Sequence, residues 1–169
     1  MYRKDTSTAI STGNVLNVYP GFHVSNGSLI SYLFRYHSIV TETVRDAMLA
    51  TDRAFYVPGN WKNPAAIYKC NKSLPIRKNS TPIMHAFALE NCLKPILKAQ
   101  KEGRDAVVLV VGCGSGYLLG AFGRIGKTKV VCLEHVKEYY DIAVKNFQVG
   151  FLTLSLKRFT QFLSGRFRK

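Results

Sequence analysis

An α/β fold built on a buried parallel sheet is predicted from three features of the chain. The first is the short run Ala106-Val-Val-Leu-Val-Val111, rich in β-branched residues and free of charge, which suits a strand covered on both faces. The second is the glycine-rich turn Gly112-Cys-Gly-Ser-Gly116 that follows it directly. The third is a second apolar strand, Lys129-Val-Val-Cys-Leu-Glu134, set off by a helical segment around 117–124. With Val136 to Phe147 reading as a further helix, the unit is strand, loop, helix, strand, helix. That is the opening of a doubly wound sheet.

The elements ahead of this unit follow from local chemistry. Residues 1–24 are polar and irregular and are expected to form a flexible arm. From Ser28 to Tyr36, Leu29, Ile30, Leu33 and Phe34 make one face of a short helix. Thr41 can cap a second helix through its hydroxyl, Glu42 complements the helix dipole, and Val44, Ala47 and Met48 share a face. Residues 57–78 hold Pro58, Gly59, Pro64 and Pro75 among basic and aromatic side chains, which is loop chemistry. Ser80-Thr81-Pro82 reads as a helix start, with Pro95 expected to kink or divide the helix that follows. Residues 25–147 thus form one unit, the N-terminal part of a domain. Residues 148–169 form a basic tail, either an amphipathic surface helix or sequence never selected to fold.

The chain has 169 residues, 47% of them hydrophobic and 20% charged, which fits a globular domain. No apolar run is long enough to span a membrane, and the N-terminus has no secretory pattern, so a cytoplasmic protein is expected. Cys70, Cys92, Cys113 and Cys132 lie far apart, which points to buried free thiols and no metal site. The net charge of +14 raises the question of nucleic acid. Ten of those excess charges fall in 61–78 and 148–169, so the charge is peripheral to the motifs.

The glycine turn carries the chemistry. Glycines at 112, 114 and 116 let the backbone turn sharply and approach a ligand at the C-terminal end of the strand. Glu134, at the end of the next strand, can accept hydrogen bonds from ribose hydroxyls. A dinucleotide fingerprint would need glycine at 117, where Tyr117 stands. The spacing G-x-G-x-G is that of S-adenosylmethionine enzymes. Gly126-Lys127-Thr128 looks like the end of a phosphate loop but has Ala121 where a glycine is required, and it precedes a strand; it is rejected.

Four strings then resemble one family in its own order. They are Ala47-Met-Leu-Ala-Thr-Asp-Arg53 with Tyr56-Val-Pro58, Ser80-Thr-Pro-Ile-Met-His85-Ala-Phe-Ala-Leu-Glu90, Val110-Val-Gly-Cys-Gly-Ser-Gly-Tyr-Leu118, and Leu133-Glu-His-Val-Lys-Glu138. The chain resembles the protein-L-isoaspartate O-methyltransferases over about residues 28 to 147. The resemblance implies a Rossmann-like S-adenosylmethionine-dependent methyltransferase fold, incomplete in the C-terminal half of its sheet because similarity stops after Phe147. It implies methyl transfer to the free carboxylate of isoaspartyl residues in damaged proteins, by a monomer, with Ser80 as the catalytic residue orienting the acceptor. It places His85, Gly112, Gly114, Gly116, Glu134 and His135 at the cofactor. The segment before Ser80 departs from the family pattern, with Asn79 where isoleucine is usual. With the sheet incomplete, weak or absent activity is expected. A catalytically silent binding module and a nucleic-acid methyltransferase are the rival readings; the serine–histidine motif speaks against the second.

Overall fold

The computed structural model describes residues 23–57, 63–69, 80–151 and 160–164. Three strands, β1 (Ala106–Val111), β2 (Thr128–Glu134) and β3 (Thr160–Ser164), form a parallel sheet in the order β1-β2-β3. Among the described residues six helices accompany it: α1 (Asn26–Arg35), α2 (Glu42–Leu49), α3 (Pro64–Ile67), α4 (Pro82–Lys101), α5 (Tyr117–Phe122) and α6 (Lys137–Phe151), with a 3-10 turn at Arg53–Tyr56. Each parallel pair is joined by a crossover containing a helix, as the geometry of parallel pairing requires.

The helix starts are set by side chains that satisfy orphan backbone N–H groups. Ser25 caps α1 and forms a reciprocal capping box with Ser28. Thr41 caps α2 by accepting from Val44 N at 3.3 Å. On α4 the cap is Thr81, which accepts from Met84 N at 3.3 Å, with Pro82 in the first turn. Helix α2 is fixed at both ends, to α1 at one and to α4 at the other. The Asn26 amide donates to the carbonyls of Met48 and Leu49 at 3.0 and 3.1 Å. At the other end, Glu90 Oε1 on α4 accepts from Val40 N and Thr41 N at 2.7 and 2.9 Å. The glutamate that ends the Ser80–Glu90 string is therefore a clasp between helices. Leu29, Ile30 and Leu33 of α1, Val44 and Met48 of α2, and Ala86, Leu89, Leu93 and Ile96 of α4 meet in one core with Leu119, Phe122, Val130 and Cys132.

Several expectations change. The helix over 82–101 is continuous through Pro95. The loop expected over 57–78 contains the single-turn helix α3, which Pro64 begins; residues 58–62 and 70–78 of that loop lie outside the described residues. The strand at 106–111 is covered on one face only. Ala106 and Val110 are buried, whereas Val107, Leu109 and Val111 are 64%, 59% and 61% exposed. No described element packs on that face, and β1 is an edge strand, so alternation replaces two-sided burial. Among the described residues the sheet has three strands where two were expected, because Thr160–Ser164 pairs with β2. A tail read as amphipathic helix or unselected sequence thus contains a strand, and α6 runs on to Phe151. Residues 1–22 of the expected arm lie outside the described residues. His23, at its end, is buried with its ring 4.8 Å from that of Tyr32.

Candidate functional site

The glycine turn leaves β1 with its first amide still in the ladder, Gly112 N donating to Leu133 O at 2.8 Å. Gly112, Gly114 and Gly116 have φ of 73°, 54° and 85°, the left-handed region in which a side chain is strained. Nothing lies within 4 Å of a Cβ built on Gly112, so space is open above the loop there. A Cβ at Gly116 would meet the Ala143 backbone of α6 at 3.1 Å. From the same helix, Asn146 Nδ2 donates to Ser115 O at 3.0 Å. The loop is therefore held between the end of β1 and one face of α6.

Glu134 closes the site from β2. Its Oε2 accepts from Gly114 N at 3.3 Å, and its Oε1 accepts from His135 N and Val136 N at 2.9 and 3.1 Å. The His135 ring Nδ1 lies 3.3 Å from the same Oε1, while that side chain is largely exposed. The carboxylate itself is 3% exposed. Three backbone amides thus hold an anionic side chain in the glycine turn, at the C-terminal ends of two parallel strands. Nucleoside ligands bind there in open α/β sheets.

His85 reaches the loop by a different route. It stacks on Tyr117, the residue after Gly116, at 4.4 Å between centroids and 17° between planes. Its Nδ1 accepts from Arg53 Nη1 at 3.4 Å, and Arg53 Nε donates to Ile67 O at 2.9 Å. Arg53 is 1% exposed, and burial pulls its pKa down to about 10. Burial first, and then the adjacent Arg53 charge, push the His85 pKa well below its ordinary value. The Tyr117 phenol is pushed up by burial. His85 is therefore a neutral imidazole in a column running from Arg53 to Tyr117.

This column has a consequence for stability. An unfolded His85 takes up a proton near pH 6.5, whereas the folded one resists it, so the unfolded state binds more protons as pH falls. Stability is expected to fall below about pH 6.5, by at most about 1.4 kcal/mol per pH unit for each such histidine. His23, whose pKa is also lowered by burial, acts with the same sign. Urea unfolding between pH 7 and pH 5 measures the slope. It should be shallower in His85→Gln, and an unchanged slope would remove His85 from the account.

The sequence-derived site residues thus divide into three groups. Gly112, Gly114, Gly116, Glu134 and His135 come together at the strand ends. His85 joins them through Tyr117. Ser80 is exposed, one residue ahead of the Thr81 cap, with no hydrogen bond to the glycine turn among the described residues. Two members of the column, Arg53 and Tyr117, had been given no part in the site. An arginine three residues ahead of a tyrosine is no sequence signal of burial, and Tyr117 stood in the sequence as the residue that excludes a dinucleotide and as part of the Val110–Leu118 string. Cys113 and Cys132, expected as separate free thiols, are joined as a disulfide with Cα atoms 6.1 Å apart. The β1–β2 register sets Val110 opposite Cys132, which places that cysteine beside the turn containing Cys113. Among the described residues no group of three or more His, Cys, Asp or Glu could hold a metal ion, and no helix is long and apolar enough to cross a membrane.

Known proteins give this geometry its context. A protein-L-isoaspartate O-methyltransferase of Triticum aestivum is 32% identical over 126 residues, covering 72% of this chain and 50% of its own length. Protein-L-isoaspartate O-methyltransferase 2 of Arabidopsis thaliana is 31% identical over 138 residues, covering 77% of this chain and 40% of its own. The chain thus spans half or less of the length of these curated relatives. A solved structure from Plasmodium falciparum, described as a protein-L-isoaspartate O-methyltransferase in complex with S-adenosyl-L-homocysteine, superposes with a TM-score of 0.60 at 25% identity. It covers 83% of this chain, which spans 63% of that one. The fold is accordingly α/β and Rossmann-like, with a short, partial parallel sheet. Residues 24–155 match the family profile, starting before residue 28 and running past Phe147, where similarity was expected to stop. The chain belongs to the protein-L-isoaspartate(D-aspartate) O-methyltransferase (PCMT) family.

Proposed function

We propose that this chain carries the cofactor-binding part of an S-adenosylmethionine-dependent methyltransferase acting on the free carboxylate of isoaspartyl residues in damaged proteins. The observation that carries this reading is the hydrogen bond from Gly114 N to Glu134 Oε2, which joins the glycine turn to the acid of the next strand. It is supported by family membership and by the S-adenosyl-L-homocysteine bound to the Plasmodium falciparum relative.

The residues present fit such a ligand in kind. Gly112 has no neighbour that a Cβ would meet, so the backbone there is open to a ligand. Glu134 is an acceptor suited to ribose hydroxyls, and His135 is exposed beside it. When bound, S-adenosylmethionine supplies an electrophilic methyl group on a sulfonium. The acceptor carboxylate is already ionised near neutral pH, so no strong acid or base is required of the protein. What remains is alignment and the exclusion of water. Ser80, exposed and not itself the α4 cap, orients the acceptor carboxylate through its hydroxyl. His85 supports the glycine turn through Tyr117.

The working form is a cytoplasmic monomer acting on protein substrates rather than nucleic acid. Its folded unit runs beyond residues 25–147 to include the end of α6 and β3, and the basic charge of 148–169 is peripheral to the site. Turnover is weak, because the apolar side chains of Val107, Leu109 and Val111 stand uncovered beside the strand that leads into the site. Calorimetry with S-adenosyl-L-homocysteine, run beside a methyl-transfer assay on an isoaspartyl peptide, tests the proposal. Binding with turnover far below that of a full-length relative is expected. Failure to bind at millimolar ligand would overturn the cofactor site, and turnover equal to the relative's would overturn the expected weakness. Binding with no turnover at all would favour a silent binding module.

A further inference from the structure

Cys113 sits between two glycines of the cofactor turn, and its sulfur is bonded to that of Cys132 on β2. Cys132 is fully buried and stands two residues from both Val130 and Glu134 along β2, so it shares their face. The disulfide and the Glu134 carboxylate therefore hold the same turn from the same side of one strand. In this closed arrangement both Glu134 oxygens accept backbone amides and the carboxylate is 3% exposed. Glu134 keeps acceptor capacity for a ribose, but with 3% of its side chain exposed, access to it widens as the turn moves away. The bond to Cys132 opposes that movement.

We infer that Cys113 and Cys132 form a reversible thiol–disulfide exchange site, whose oxidised state holds the glycine turn closed on Glu134 and weakens nucleoside binding. The effect on binding rests on the function proposed above; the exchange itself does not. The oxidant is a low-molecular-weight disulfide. Cys113, the less deeply buried of the two cysteines, attacks it as a thiolate, forming a mixed disulfide and releasing one thiolate, which takes up a proton. Cys132 then loses its proton and attacks the Cys113 sulfur, expelling the second thiol. Two protein thiols are oxidised by two electrons, and the small disulfide is reduced to two thiols. Cys92, a free cysteine on α4, serves as an internal control.

The test uses the full chain equilibrated with oxidised or reduced glutathione, then alkylated under denaturing conditions. The reduced chain should take up four labels, one for each cysteine of the sequence, and the oxidised chain two, with a peptide linking Cys113 to Cys132. Calorimetry with S-adenosyl-L-homocysteine should show the oxidised chain binding about tenfold or more weakly than the reduced one. Cys132→Ala should bind equally in both buffers. Four labels after oxidation would overturn the exchange site, whether or not ligand binds and whether or not the variant folds. Two labels with equal affinities would overturn the control of binding. Two labels with no binding in either state would overturn the cofactor reading, and control with it, while leaving the linkage established.

Discussion

Gly116→Ala is expected to lose about 2–5 kcal/mol of folding stability, and Gly112→Ala only about 1–2 kcal/mol. Both glycines have φ in the left-handed region, at 85° and 73°, so both variants bear the cost of placing a side chain there. Their surroundings differ. The new methyl at 112 meets nothing within 4 Å, whereas at 116 it meets the carbonyl oxygen and Cα of Ala143 at 3.1 and 3.2 Å. Those are backbone atoms inside α6, and they move only if the helix moves. The turn would then part from α6, taking with it the bond from Asn146 to Ser115. Urea unfolding of the two variants measures the difference. Equal losses would mean that the contact with α6 contributes nothing.

Arg53→Ala should be comparably damaging, at about 3–5 kcal/mol, because it empties a buried site and strands the groups the guanidinium holds. Arg53 is among the largest fully buried side chains, and it joins the Ile67 carbonyl to the His85 ring. Its depressed pKa of about 10 still leaves it cationic at neutral pH. Arg53→Met refills most of the volume and leaves the Ile67 carbonyl unpaired, so about 1–3 kcal/mol is expected there. Unfolding curves for both variants separate packing from hydrogen bonding. A loss under about 1 kcal/mol for the alanine variant would show that the column is not a structural support. Because the column ends on Tyr117, both variants should also disturb the glycine turn. That is read in the near-ultraviolet signal of the stacked tyrosine.

The helix caps and the first two strands could be read from residues because their causes are local. A hydroxyl before a helix, a β-branched run and a glycine triplet act over a few positions, so Thr41, 106–111 and 112–116 could be placed without coordinates. Thr160–Ser164 could not, since pairing rather than composition makes it a strand. Glu90 likewise looked like part of a family string until its carboxylate was found on the amides that begin α2.

The sequence by itself determined the order of the β-loop-α unit, the residue types at the glycine turn and the acid 22 residues past Gly112. Only the tertiary structure decided that Glu134 is already engaged by backbone amides, that Arg53 and Tyr117 enclose His85, and that Cys113 meets Cys132. The reason is range. Backbone preference and patterning act between neighbours, whereas burial, pairing register and the satisfaction of buried polar groups depend on segments that only folding brings together.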